Sequence, residues 1–207
     1  MTWWLASRRA GPVLAGLIVL TVGLLAVQDV VVPAPNLAGG YGSGVQAGLA
    51  IPALVASLVL ASVSGGDPDG ERASTRDLAA VERGYVLVCA AIPTGIAGLA
   101  AAASGEPLPA AAARNVLGMI GIGLLARPFV GARAAASVPV AYMLLVAVLG
   151  QPAGAGRAAA WAWPLAAATD RPALLLAGSL FAVGMLVGLS ADVRGPVGAR
   201  AQPLTRR

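Results

Sequence analysis

The side chains able to do chemistry are few, and their types exclude more than they offer. Arginine supplies all 14 basic residues; there is no lysine and no histidine, and Cys89 is the single cysteine. Without His, neither an HExxH zinc site nor a Ser-His-Asp triad can be built. Without Lys there is no Walker A loop, so nucleotide energy would have to enter through another chain. A Schiff-base mechanism lacks its amine, and one Cys makes neither an internal disulfide nor a CxxC metal site. Nine acids remain. Asp29 and Asp192 fall on opposite sides of the topology derived below, so they cannot act as a pair, and no acidic pair lies inside an apolar run. The reading is therefore no enzyme: no catalytic residue, no cofactor and no metal.

These residues are carried by a chain built for lipid. It is 58% hydrophobic and 11% charged, with a mean hydropathy of +0.81, where a soluble domain carries about 25% charged residues. A helix needs about 20 apolar residues to cross about 30 Å of hydrocarbon. Runs of that kind lie at 11–32, 45–63, 84–103, 109–131, 134–150 and 173–190, with a tail at 191–207. The first run is too long for a signal-peptide core and is read as an uncleaved span. The expectation is one all-α domain over residues 1–207, a polytopic bundle of six transmembrane helices. Arginine placement orients it. With the N-terminus in the cytoplasm, eleven arginines fall inside and Arg114, Arg157 and Arg171 outside, so both termini are cytoplasmic. The net charge of +5 is then topology and attraction to anionic membrane lipid, not a nucleic-acid footprint.

Polar groups inside or beside the spans are the candidate sites, because such groups are costly in lipid. Asp29 and Arg114 fall in the same leaflet. An ion pair between them is one reading; separate solvation at headgroup level, Arg114 by snorkelling, is the plainer and preferred one. Twelve residues separate Arg114 from Arg127, about 18 Å of helix. Either both arginines reach outward or Arg114 sits inside the bundle. Gly184-xxx-Gly188 permits close helix approach, read first as packing within the chain and second as dimerisation. Pro52, Pro93 and Pro139 lie within spans and each removes a backbone donor, which predicts kinks. Trp161 and Trp163, in the connector 151–172, are expected at headgroup level. Cys89 is read as a packing residue. The inner loop 64–83 contains Glu71, Arg72, Arg76, Asp77, Glu82 and Arg83. A solvated loop is its plain reading; the sharper one is a short surface helix that docks a cytoplasmic partner.

The whole pattern resembles the membrane subunit of an ABC transporter of the exporter-permease kind. That family has six spans, both termini inside, a charged coupling helix between spans two and three, and a re-entrant apolar element between spans five and six. The matching positions are 64–83 and 155–168. The stretches from Arg114-Asn115 through Leu125 and from Trp161 to Leu165 are also similar to those of small actinobacterial membrane proteins of this type. The chain departs from the family in its brevity and in having about nine residues before the first span. The resemblance implies a multi-pass protein of the cell membrane that couples to a separate cytoplasmic ATPase subunit through Glu71, Arg72, Arg76, Asp77, Glu82 and Arg83. It also implies pairing with a second copy or a paralogous permease. The alternative is an accessory or assembly membrane protein that transports nothing.

Overall fold

The computed structural model describes residues 2–35, 37, 44–65, 78–150 and 159–189. It is mostly helical. In chain order come α1 (Thr2–Ser7), α2 (Ala10–Val27), strands β1 (Val31–Val32) and β2 (Val45–Gln46), α3 (Ala47–Ser64), α4 (Leu78–Ser104), α5 (Pro107–Val130), α6 (Ala132–Ala135), α7 (Val138–Leu149), a 3-10 turn (Ala160–Leu165) and α8 (Arg171–Val187).

Five stretches are long and apolar enough to cross a membrane: α2, α3, residues 80–104 of α4, α5, and the α6–α7 stretch 132–149. These are the marks of a multi-pass membrane protein. The sixth expected span, 173–190, is here the 17-residue α8. At 1.5 Å per residue it is about 25 Å long, short of the hydrocarbon thickness.

Local sequence explains most helix ends. Val30-Val-Val before Pro33 is β-branched and biased to the extended region. The first helix therefore stops at Val27 rather than running to residue 32, and Val31 and Val32 pair antiparallel with Gln46 and Val45. At α5, Pro107 opens the helix and the N–H of Gly131, at φ 82°, closes it on the Arg127 carbonyl. At α8, Asp170 is the N-cap: its Oδ1 accepts from the Ala173 N–H at 3.0 Å, and Pro172 occupies the first turn. Both are preferred helix-start residues. Pro52 and Pro93 do lie inside helices. Pro139 does not: the chain breaks between α6 and α7, and Pro139 sits in the first turn of α7. There it forfeits no helical hydrogen bond, so the kink expected of it is absent.

The core is organised around α5. Of its membrane window 72% is buried, against 61% for α3, 28% for α4, 22% for the α6–α7 stretch and 17% for α2. α5 and α8 run parallel, because Gly118 meets Ala177 at one end of the contact and Leu124 meets Gly188 at the other. Glycine makes this possible. A Cβ on Gly184 would lie 2.8 Å from the Gly121 carbonyl oxygen. A Cβ on Gly188 would collide with the Leu124 carbonyl oxygen, whose helical donor is missing because position 128 is proline. Backbone contact through small residues is how helices associate where lipid removes the hydrophobic drive. Gly184 and Gly188 thus face a neighbour in their own chain.

Candidate functional site

Two buried arginines sit on α5, about 20 Å apart along its axis. Arg114 lies in its third turn and is 3% exposed; Arg127 lies in its last and is 7% exposed. Each is held by a different kind of partner.

Arg114 is packed against the segment between α7 and α8. Its Nη1 donates to the Ala167 carbonyl at 2.8 Å, and its Nη2 donates to Ala166 O at 2.9 Å and Trp163 O at 3.3 Å. Nε and Nη2 both donate to Asn115 Oδ1 at 3.2 Å. Asn115, fully buried, turns its own amide outward from that contact: Nδ2 donates to Pro164 O at 2.9 Å and to Leu49 O at 3.4 Å. The two side chains therefore gather four carbonyls of residues 163–167 and one of α3. The need is set locally. The 3-10 turn Ala160–Leu165 ends without continuing into a helix, so few carbonyls here keep a backbone donor: Trp163 O accepts from the Ala166 N–H at 3.1 Å and Ala167 O from the Asp170 N–H at 3.0 Å. Non-helical backbone at membrane depth is tolerated where protein groups satisfy it. A guanidinium with five donors in a planar fork fits a curved row of carbonyls better than any other side chain. The Leu49 contact falls in the turn that Pro52 disturbs.

Aromatic packing completes this region. Trp163, 3% exposed, lies against Gly118, and its ring stacks on Tyr142 of α7 at a centroid distance of 6.5 Å. The Tyr142 hydroxyl donates to the Trp161 carbonyl. Of the two tryptophans expected at headgroup level, Trp161 is exposed and Trp163 is not. Gly118 leaves the space that draws the Trp163 ring inside.

Asp29 and Arg114 do lie at the same end of the bundle, since Gly48 at the start of α3 bonds to Gln28 and the adjacent Leu49 to Asn115. The structure does not pair them. Asp29 is exposed in the turn after α2, and among the described residues the hydrogen bonds of Arg114 go to Asn115 and the connector carbonyls. Of the two options for Arg114, the bundle interior is the one adopted.

Arg127 has a carboxylate instead. Its Nη1 lies 2.8 Å from Glu82 Oε1, with both side chains at least nine-tenths buried. The pair ties the first turns of α4 to the last turn of α5. The sequence places Glu82 among the loop residues facing a partner; in the fold its carboxylate faces α5. Arg83 is partly buried. Glu71, Arg72, Arg76 and Asp77 lie outside the described residues. At the same end Trp4 of α1 meets Tyr85 of α4 edge to face at 5.5 Å, and the Tyr85 hydroxyl donates to Ser62 Oγ of α3 at 3.2 Å. Cys89 is buried in the core, as a packing residue would be.

Among the described residues no three His, Cys, Asp or Glu side chains gather where a metal ion could be held. Compared with known protein families, curated proteins and solved structures, the chain matches none. The sequence reasoning missed Glu82–Arg127 and the carbonyl partners of Arg114. The signal for the second was present: a Trp-Pro pair in an apolar connector too short to span, with an Arg-Asn pair inside the preceding long helix.

Proposed function

We propose that this chain is the membrane-spanning permease subunit of an ABC-type transporter. In this reading α2, α3, α4, α5, α6–α7 and α8 are six spans, both termini are cytoplasmic, and the protein resides in the cell membrane. A separate ATPase subunit couples to the loop 64–83. The substrate path runs between two such bundles, the second being another copy or a paralogue. The observation that carries the reading is the segment 159–170. It follows the fifth apolar stretch, forms no α-helix, and is held against α5 by Arg114 and Asn115 before α8 begins. It stands where the resemblance expects a re-entrant apolar element.

The alternative is an accessory or assembly protein that transports nothing, for which a tightly closed bundle suffices. Gly121, Gly184 and Gly188 bring the backbones of α5 and α8 into contact, so no route passes between these two helices within one copy. A single purification separates the readings. The complex is extracted gently from its native membrane and everything that co-elutes is identified by mass spectrometry. A stoichiometric nucleotide-binding subunit is the expected result. Elution alone, or with a complex lacking an ATPase, under conditions that keep a known ABC complex intact, overturns the permease reading. Arg72→Glu or Arg76→Glu is expected to abolish the ATPase association without loss of membrane insertion.

A further inference from the structure

The elbow between α1 and α2 holds two adjacent arginines in opposite environments. Arg8 is turned inward, 5% exposed, with its guanidinium 4.5 Å from the Trp4 ring centroid. Arg9 is turned outward and exposed. The divergence is made by the backbone: Arg9 adopts φ 50°, ψ 44°, and among the described residues it alone, glycines aside, has a positive φ. A residue with a Cβ rarely adopts that conformation, and where it does the surroundings hold it there. Glycine would serve the turn better.

Arg9 stands at the mouth of an open groove of about 490 Å³, lined by Leu5, Ala6, Arg9, Ala10, Gly11 and Pro12. Its walls are apolar, and a Cβ on Gly11 would meet nothing within 4 Å. Among the described residues no side-chain partner binds the Arg9 guanidinium. An apolar groove with a free cation at its mouth, at the end of a membrane-spanning helix, matches the two halves of a phospholipid.

We propose that this elbow binds one anionic phospholipid, its phosphodiester on Arg9 and its first acyl segment along Leu5, Ala6 and Pro12. Charge selects the headgroup. Arg9 is the exposed cation of the elbow, and Arg8 is turned away from the groove onto Trp4. The ammonium of a zwitterionic lipid is repelled there, while an anionic headgroup is attracted. This inference rests on membrane insertion alone and not on the permease reading.

The test measures the unfolding midpoint of the full chain in nanodiscs of phosphatidylcholine alone and with added phosphatidylglycerol. For the wild type, phosphatidylglycerol is expected to raise the midpoint by about 3 °C, the scale of one cation–lipid contact in a chain of this size. Arg9→Gly removes the charge and relieves the backbone, so its midpoint in phosphatidylcholine is expected to equal or exceed that of the wild type, with the phosphatidylglycerol shift lost. Arg133→Gln, an equal charge change at an exposed arginine of α6, is expected to keep the shift. Three results overturn the proposal: Arg9→Gly keeps the shift, Arg133→Gln loses as much of it, or Arg9→Gly lowers the midpoint equally in both lipids.

Discussion

The two buried arginines of α5 do similar jobs with unlike partners. Arg127 meets a carboxylate, Glu82, on a neighbouring helix. Arg114 meets carbonyls of a segment that makes no α-helix, plus the amide of its own neighbour. The first is charge against charge, and an apolar pair of similar volume can replace such a bridge at little cost. The second is a set of hydrogen bonds whose acceptors belong to the main chain and persist whatever side chain replaces Arg114. The difference teaches that a buried cation in a membrane bundle need not mark a charge partner or a transported ion. It can mark irregular backbone.

Arg114→Ala is expected to have the largest effect, because it strips donors from three carbonyls of residues 163–167 at once. At about 1 kcal/mol for each hydrogen bond lost inside a membrane bundle, the loss is about 3 kcal/mol. It is read as the shift in a denaturant titration in detergent. Arg114→Lys is expected to recover less than half, since a point charge cannot span the carbonyl row. Glu82→Gln comes next: it leaves Arg127 buried opposite a neutral amide, at a cost of about 2–3 kcal/mol in the same titration. The double variant Glu82→Leu with Arg127→Leu is expected to return to within about 1 kcal/mol of the wild type. Full recovery by Arg114→Lys, or none by the double leucine variant, breaks the contrast between the two sites.

Smaller effects sharpen it. Gly188→Ala forces α8 away from the Leu124 carbonyl and is expected to cost about 1–2 kcal/mol. Circular dichroism should show helix content unchanged. Tyr142→Phe removes one hydrogen bond to the connector and is expected to cost about 1 kcal/mol or less. Added to Arg114→Ala, it should be less than additive, because both support residues 161–167.

How much of this was legible in the sequence differs between the two arginines. The apolar runs located the helices to within a few residues, except where Val31 and Val32 pair with Gln46 and Val45 instead of extending α2, and where α4 starts at Leu78, inside the stretch 64–83 read as a loop. The short stretch between Arg114 and Arg127 signalled that one arginine could be interior. Its partner was not legible. A search for opposite charge points to Asp29, whereas the acceptors are main-chain groups exposed by a 3-10 turn that hydropathy does not reveal. Glu82 and Arg127 each read as an inner-surface charge, because their contact spans 45 positions and no local pattern joins them. The Gly184-xxx-Gly188 spacing was readable as a close-approach motif, while its partner on α5 needed the three-dimensional structure.

The Arg114 clamp also has a consequence for synthesis. The ribosome makes α5 well before residues 163–167, so Arg114 and Asn115 reach the membrane before most of their acceptors exist. An arginine without its acceptors raises the cost of inserting its helix, and α5 is already the least hydropathic of the five long apolar stretches, at 1.5. α5 is therefore expected to reach its final depth late, when the connector and α8 arrive to receive it. The expected order of assembly of this bundle then departs from the order in which it is translated.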